Sequence, residues 1–116
     1  MDRRKQLKKE YKMNPQPMGV YQIRNQISGK VFVGASMNLV GTKNGYRAYL
    51  DMKANRYRAL LPDWNAFGPD NFVFEILETL DISELPQADW RNAVAEMEQK
   101  WLDLLQPYDD KGYNLP

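Results

Sequence analysis

Residues 19–34 read GVYQIRNQISGKVFVG, with an apolar run of Val20, Tyr21 and Ile23, a second of Val31, Phe32 and Val33, and a polar connection holding Ser28-Gly29. Short runs of β-branched and aromatic residues around a glycine-bearing turn predict a β-hairpin. A third such run, FVFEIL from Phe72 to Leu77, predicts another strand. Its near-continuous apolar character predicts a central position covered on both faces. The sheet expected is therefore small and three-stranded.

The remaining segments have helical spacing. Leu39, Tyr46, Tyr49 and Leu50 repeat with helical period over residues 36–52, but Gly41 and Gly45 each weaken a helix by about 1 kcal/mol relative to Ala. That segment is expected to be irregular early and helical late. Over residues 54–67, Tyr57, Leu60, Leu61, Trp64 and Phe67 form an apolar stripe that Gly68-Pro69 stops and that Pro62 divides into two short pieces. Residues 88–105 carry the clearest stripe, Trp90, Val94, Met97, Trp101, Leu104 and Leu105. Strands and helices in this order make an α+β fold.

A chain of 116 residues with 43% hydrophobic content is one domain able to bury a single core. Residues 1–17 read as a basic helix or arm followed by an extended lead-in at Pro15 and Pro17, and residues 18–116 as the folded domain. The arm is either a solvated helix or a segment that touches phosphate. No apolar run approaches a membrane span, and the N-terminus lacks the apolar core of a secretory signal, so a cytoplasmic location and no membrane partner are expected.

Chemistry is bounded by what is absent. Without cysteine or histidine, thiolate sites, disulfides and imidazole bases are excluded, leaving Tyr, Arg, Lys, Asp, Glu, Ser and Thr. Those side chains suit a hard, oxygen-liganded cation such as magnesium. The net charge of +1 is too balanced to mark a nucleic-acid binder, so charge distribution must carry that case.

One residue breaks the helical pattern. Glu98 lies four residues after Val94 and three before Trp101, on the apolar stripe. A carboxylate there needs an Arg or Lys, a hydrogen-bond donor or a metal ion, unless it sits at the stripe's edge and pairs with Arg91 or Lys100. Glu75 and Glu96 read as ordinary surface or edge charges.

Gly-Val-Tyr on one strand and Phe-Val-Gly on the next, followed by Ala35-Ser36, Asn38-Leu39, WNAFG, the FVFEIL strand, Glu98 three residues before Trp101, and a terminal Gly112-Tyr113-Asn114, resemble the GIY-YIG nuclease family. The resemblance implies a three-stranded antiparallel sheet flanked by helices. It also implies hydrolysis of nucleic-acid phosphodiester bonds with Mg2+ or Mn2+, DNA being favoured over RNA. On this resemblance Tyr21 falls on the tyrosine acting as or with the general base, Glu98 on the metal ligand and Asn114 on the supporting asparagine. Phe32 falls on the second tyrosine and keeps only its ring. The family arginine falls on Thr42, and two histidine positions fall on Tyr46 and Asn55. Arg47 is the first candidate for a displaced catalytic arginine and Lys43 the second. Lys43, Arg47, Arg56 and Arg58 form the candidate nucleic-acid-binding surface. The lost hydroxyl and arginine leave two readings open: an endonuclease of reduced activity, and a module of the same fold that binds nucleic acid or another partner without cutting.

Overall fold

In the computed structural model, which describes residues 15–116, β1 (Gly19–Asn25) and β2 (Val31–Ser36) form the expected hairpin, paired antiparallel from Gly19 opposite Ser36 to Arg24 opposite Val31. The turn is held by Asn25, whose buried side-chain oxygen accepts hydrogen bonds from the Ile27 and Ser28 backbone N–H groups at 2.9 and 3.3 Å. The basic segment expected over residues 1–17 falls, in its first fourteen residues, outside those described. Of the lead-in, the Pro17 carbonyl accepts the Leu39 N–H and the Met18 carbonyl the Leu80 N–H.

The third strand, β3 (Phe72–Thr79), pairs antiparallel with β1, and the strand order is β2-β1-β3. This corrects the expected central position of FVFEIL, because β1 is the central strand and β3 an edge. Phe72 is buried and Phe74 packs on the core, whereas Ile76 is 52% exposed. The apolar character of the run reflects one packed end rather than cover on both faces. Between Val20 and Tyr21 the β1–β3 register shifts, so that Val20 stands opposite Glu78 and Tyr21 opposite Ile76. Such a bulge bends a strand and re-aims its side chains.

Helix α1 (Leu39–Asp51) is regular from its first turn, against the irregular start expected from its glycines. Asn38 accounts for the difference, since its side-chain oxygen accepts the Gly41 N–H at 3.0 Å and satisfies one orphan donor of the first turn. Leu39, Tyr46 and Leu50 are buried, but Tyr49, placed on the same stripe, is 56% exposed. A helical turn at Asn55–Tyr57 leads to α2 (Leu61–Phe67), where Pro62 sits in the first turn that tolerates it. A turn at Gln87–Asp89 then precedes α3 (Trp90–Leu105). Leu104, expected on the buried stripe of α3, is 68% exposed.

The sheet separates two layers. Tyr21, Ile23, Phe32 and Phe72 face a cluster with Leu39, Tyr46, Leu50, Tyr57, Leu60 and Trp64 of the α1–α2 side. Val20 and Val33 point the other way, as strand alternation requires, and α3 packs there against β1 and β2. The Trp101 indole N–H donates to Glu78 at 2.8 Å and Lys100 pairs with the same carboxylate. Glu75 makes a 2.7 Å pair with Arg24 at the surface, as an edge charge should.

The chain ends by closing the free side of β2. Val31 bridges in parallel with Gly112, and the Val31 carbonyl accepts the Tyr113 N–H at 2.9 Å. A Cβ on Gly112 would stand 2.4 Å from the Pro107 carbonyl oxygen and 2.5 Å from that of Val31, so only glycine permits the approach. Tyr113 is buried and donates to Asp63 at 2.6 Å while accepting from Asn25 at 3.2 Å. Gly112→Ala should therefore cost roughly 1–3 kcal/mol of stability. A thermal melt should fall by about 5 °C or more, and an unchanged melting temperature would contradict this packing.

Candidate active site at the edge of the second strand

The backbone groups of Val31, Val33 and Ala35 face the outer side of β2, and each finds a different partner. Val31 meets the terminal segment described above. Asn114 takes both groups of Val33, accepting its N–H and donating to its carbonyl, each at 2.8 Å. Ala35 then directs its N–H toward the Glu98 carboxylate. The two bonds clamp the asparagine amide to the strand, so it holds β2 in place while one N–H and one lone pair stay free.

Tyr21 reaches this edge from the α1–α2 side. Its ring stacks on Phe74 with centroids 4.8 Å apart and lies across β2 at Gly34, its cross-strand partner. A Cβ at Gly34 would lie 2.6 Å from the Tyr21 hydroxyl, which explains physically why glycine follows Phe32-Val33. The phenol lies 3.2 Å from the Tyr57 hydroxyl. Burial, and then the neighbouring Tyr57, push the Tyr21 pKa far above its ordinary value, with Arg56 opposing. At neutral pH the phenol is therefore protonated, and it works as a hydrogen-bonding group rather than as a tyrosinate.

Glu98 comes from the opposite layer. The Trp101 bond to Glu78 fixes the rotation of α3 and turns the carboxylate toward the β2 edge. Partial burial raises the Glu98 pKa, while the Arg56 charge and the Ala35 N–H pull it down. Among the described residues it makes no ion pair, and the surface partner considered from sequence, Lys100, is taken by Glu78.

These side chains meet in a cavity of about 200 Å³ lined by Tyr21, Phe32, Gly34, Arg56, Glu98 and Asn114. Four of the five sequence-derived catalytic candidates are thus together. The fifth, Arg47, lies elsewhere on α1 with its Nε donating to the Tyr46 hydroxyl at 3.4 Å; Lys43, Arg56 and Arg58 are exposed like it, but of these four cations only Arg56 lines the cavity. The guanidinium that does reach the cavity is that of Arg56, which the sequence reading placed only on the binding surface. Burial disfavours its charge, but the Tyr21 and Tyr57 phenols outweigh that and raise its pKa. Thr42 cannot serve in its stead, because its hydroxyl is 2.7 Å from Ser36 Oγ and donates to the Asn38 carbonyl. Tyr46 is a core residue and Asn55 is exposed. No periodicity singles out Arg56; its only sequence signal is its place beside the core residue Tyr57. On the far side of Arg56 an open groove of about 430 Å³ continues past Ser36, Thr42, Tyr49 and Tyr57.

A half-buried carboxylate without an ion pair among the described residues, facing a cavity, fits a hard divalent cation, of which it would be a single protein ligand. No group of three His, Cys, Asp or Glu residues capable of caging a metal occurs among the described residues. No described helix is long and apolar enough to cross a membrane.

An antiparallel three-stranded sheet with three helices and this edge arrangement has the α+β fold of the GIY-YIG nucleases. Solved structures that share it include the catalytic domain of the homing endonuclease I-TevI, at a TM-score of 0.68 and 24% identity over 85% of this chain and 98% of that one. A glutamate-to-alanine mutant of the same intron endonuclease domain aligns at a TM-score of 0.70 and 23% identity over 87% of this chain and 95% of that one. No family model and no curated protein matches the chain.

The raised Glu98 pKa fixes a sign. A carboxyl raised on folding contributes stability that is fully present below its unfolded pKa and lost as pH rises through the folded value. Glu98→Gln should therefore match the wild type in acid and melt at a higher temperature at neutral pH. A lower melting temperature for the variant at neutral pH would contradict the placement of Glu98.

Proposed function

We propose that the chain hydrolyses nucleic-acid phosphodiester bonds, with DNA as substrate and Mg2+ or Mn2+ as cofactor, in the cavity at the β2 edge. The observation that carries this reading is the convergence of Tyr21, Arg56 and Glu98, from three separate elements, on one cavity. The shared fold of a homing endonuclease catalytic domain supports it.

Hydrolysis forms a bond from water oxygen to phosphorus and breaks one phosphorus–oxygen ester bond. The water loses a proton and the leaving oxygen gains one, both exchanged with solvent at the open cavity. Tyr21 accepts a hydrogen bond from the attacking water and orients it. Arg56 neutralises charge that builds on the phosphate oxygens, the task of the guanidinium missing at Thr42. Glu98 is the carboxylate that would hold the cation, which when bound supplies Lewis-acid stabilisation of the same oxygens. Asn114 and the Phe32 ring keep β2 and Tyr21 in register. The strand follows the groove beyond Arg56, and Lys43, Arg47 and Arg58, exposed outside the lining of that groove, contact flanking phosphates.

Labelled DNA incubated with the purified protein and magnesium should be cut, and Glu98→Ala should abolish cutting. Arg56→Ala should lower kcat about 100- to 1000-fold, whereas Arg47→Ala should weaken binding and leave kcat near wild type. Salt-sensitive binding without any cleavage would replace the nuclease reading with that of a binding module.

A further inference from the structure

Tyr57 belongs to the apolar stripe that leads into α2, yet its hydroxyl serves no packing purpose. The residue is 1% exposed, and its ring stands edge-on to Phe32 with centroids 5.1 Å apart. Phenylalanine would fill the same space. A hydroxyl carried that deep costs free energy unless it finds a partner, and the partner here is the Tyr21 hydroxyl at 3.2 Å. Phe32 lies 6.4 Å from the Tyr21 ring and offers it no oxygen. Three aromatic residues, Phe32, Phe74 and Tyr57, therefore adjoin Tyr21, and of the three only Tyr57 can hydrogen-bond to its phenol.

Either hydroxyl of such a pair can donate. If Tyr21 donates to Tyr57, its own proton is directed away from the cavity and its lone pairs remain for a hydrogen of the attacking water. Arg56, the preceding residue on the same turn, lines the same cavity as Tyr21 and acts electrostatically on both phenols. We propose that Tyr57 is the positioning residue for Tyr21, supplying from the turn after α1 the hydroxyl that β2 lacks at Phe32. The role rests on the nuclease reading above and extends it. One dipeptide, Arg56-Tyr57, then replaces two groups missing from the places where the family resemblance expects them.

The test compares wild type, Tyr57→Phe, and Tyr57→Phe combined with Phe32→Tyr, as full chains with magnesium and labelled double-stranded DNA. Tyr57→Phe should keep the fold and KM, lose a few degrees of melting temperature as the buried Tyr21 hydroxyl loses a partner, and lower kcat about tenfold, the worth of one hydrogen bond. Phe32→Tyr on that background should restore most of the loss. In parallel, the carbon-13 resonance of Tyr21 Cζ should move in Tyr57→Phe and return in the double variant, a reading that needs no cleavage. Wild-type kcat in Tyr57→Phe with an unmoved Tyr21 resonance would overturn the proposal. So would a double variant as slow as the single one. If the wild type fails to cut, the nuclease reading falls, and the Tyr21 resonance alone then decides whether Tyr57 holds it.

Discussion

The outer edge of β2 is the constraint on which the rest of the site depends. An edge strand presents backbone donors and acceptors that must be satisfied or exposed. Here Gly112 and Tyr113 cover the Val31 end, Asn114 covers Val33, and Glu98 receives the Ala35 N–H. The same row of hydrogen bonds that closes the sheet thus delivers a carboxylate to a fixed place. Tyr21 arrives at that place because Gly34 leaves room for a ring across the strand. Stability and site are built from one set of contacts.

The two layers supply different chemistry. The α1–α2 layer brings aromatic hydroxyls and a guanidinium, Tyr21, Tyr57 and Arg56, while α3 brings the single carboxylate. The sheet keeps them from collapsing into a simple ion pair, since Glu98 is anchored through Trp101 and Glu78 on one face and Tyr21 through Phe74 on the other. A guanidinium and a carboxylate therefore both face the cavity without an ion pair between them. Partial burial raises the Glu98 pKa, and the Arg56 charge and the Ala35 N–H oppose that rise.

Much of this was legible in the sequence. The hairpin, the third strand and the last helix follow from apolar period, and Glu98 betrays itself as a carboxylate on an apolar stripe. The ordered motifs add Tyr21 and Asn114. The place of β3 at the edge was hidden because apolar runs do not encode strand order. The regular start of α1 was hidden because a single cap, Asn38, outweighs the glycines that argue against it. The place of Arg56 at the cavity is hidden for a different reason. Helical spacing from Thr42 points to cations of α1, whereas the guanidinium that lines the cavity is carried by the following turn. Only tertiary folding brings that turn to Tyr21, and periodicity contains no trace of it. Leu104 and Tyr49 show the converse limit, since both keep helical spacing and still face solvent.

The proposed nuclease site has Glu98, at the β2 edge, as the ligand of a divalent cation beside Tyr21 and Arg56. Titrating the nitrogen-15-labelled protein with Mn2+ tests it most directly, because a paramagnetic ion broadens nearby amide resonances. The account predicts selective loss of the Gly34, Ala35 and Glu98 amide signals, abolished by Glu98→Gln. Broadening centred instead on the acidic residues of the α1–α2 side, such as Asp51 or Asp70, or unchanged by Glu98→Gln, would contradict it.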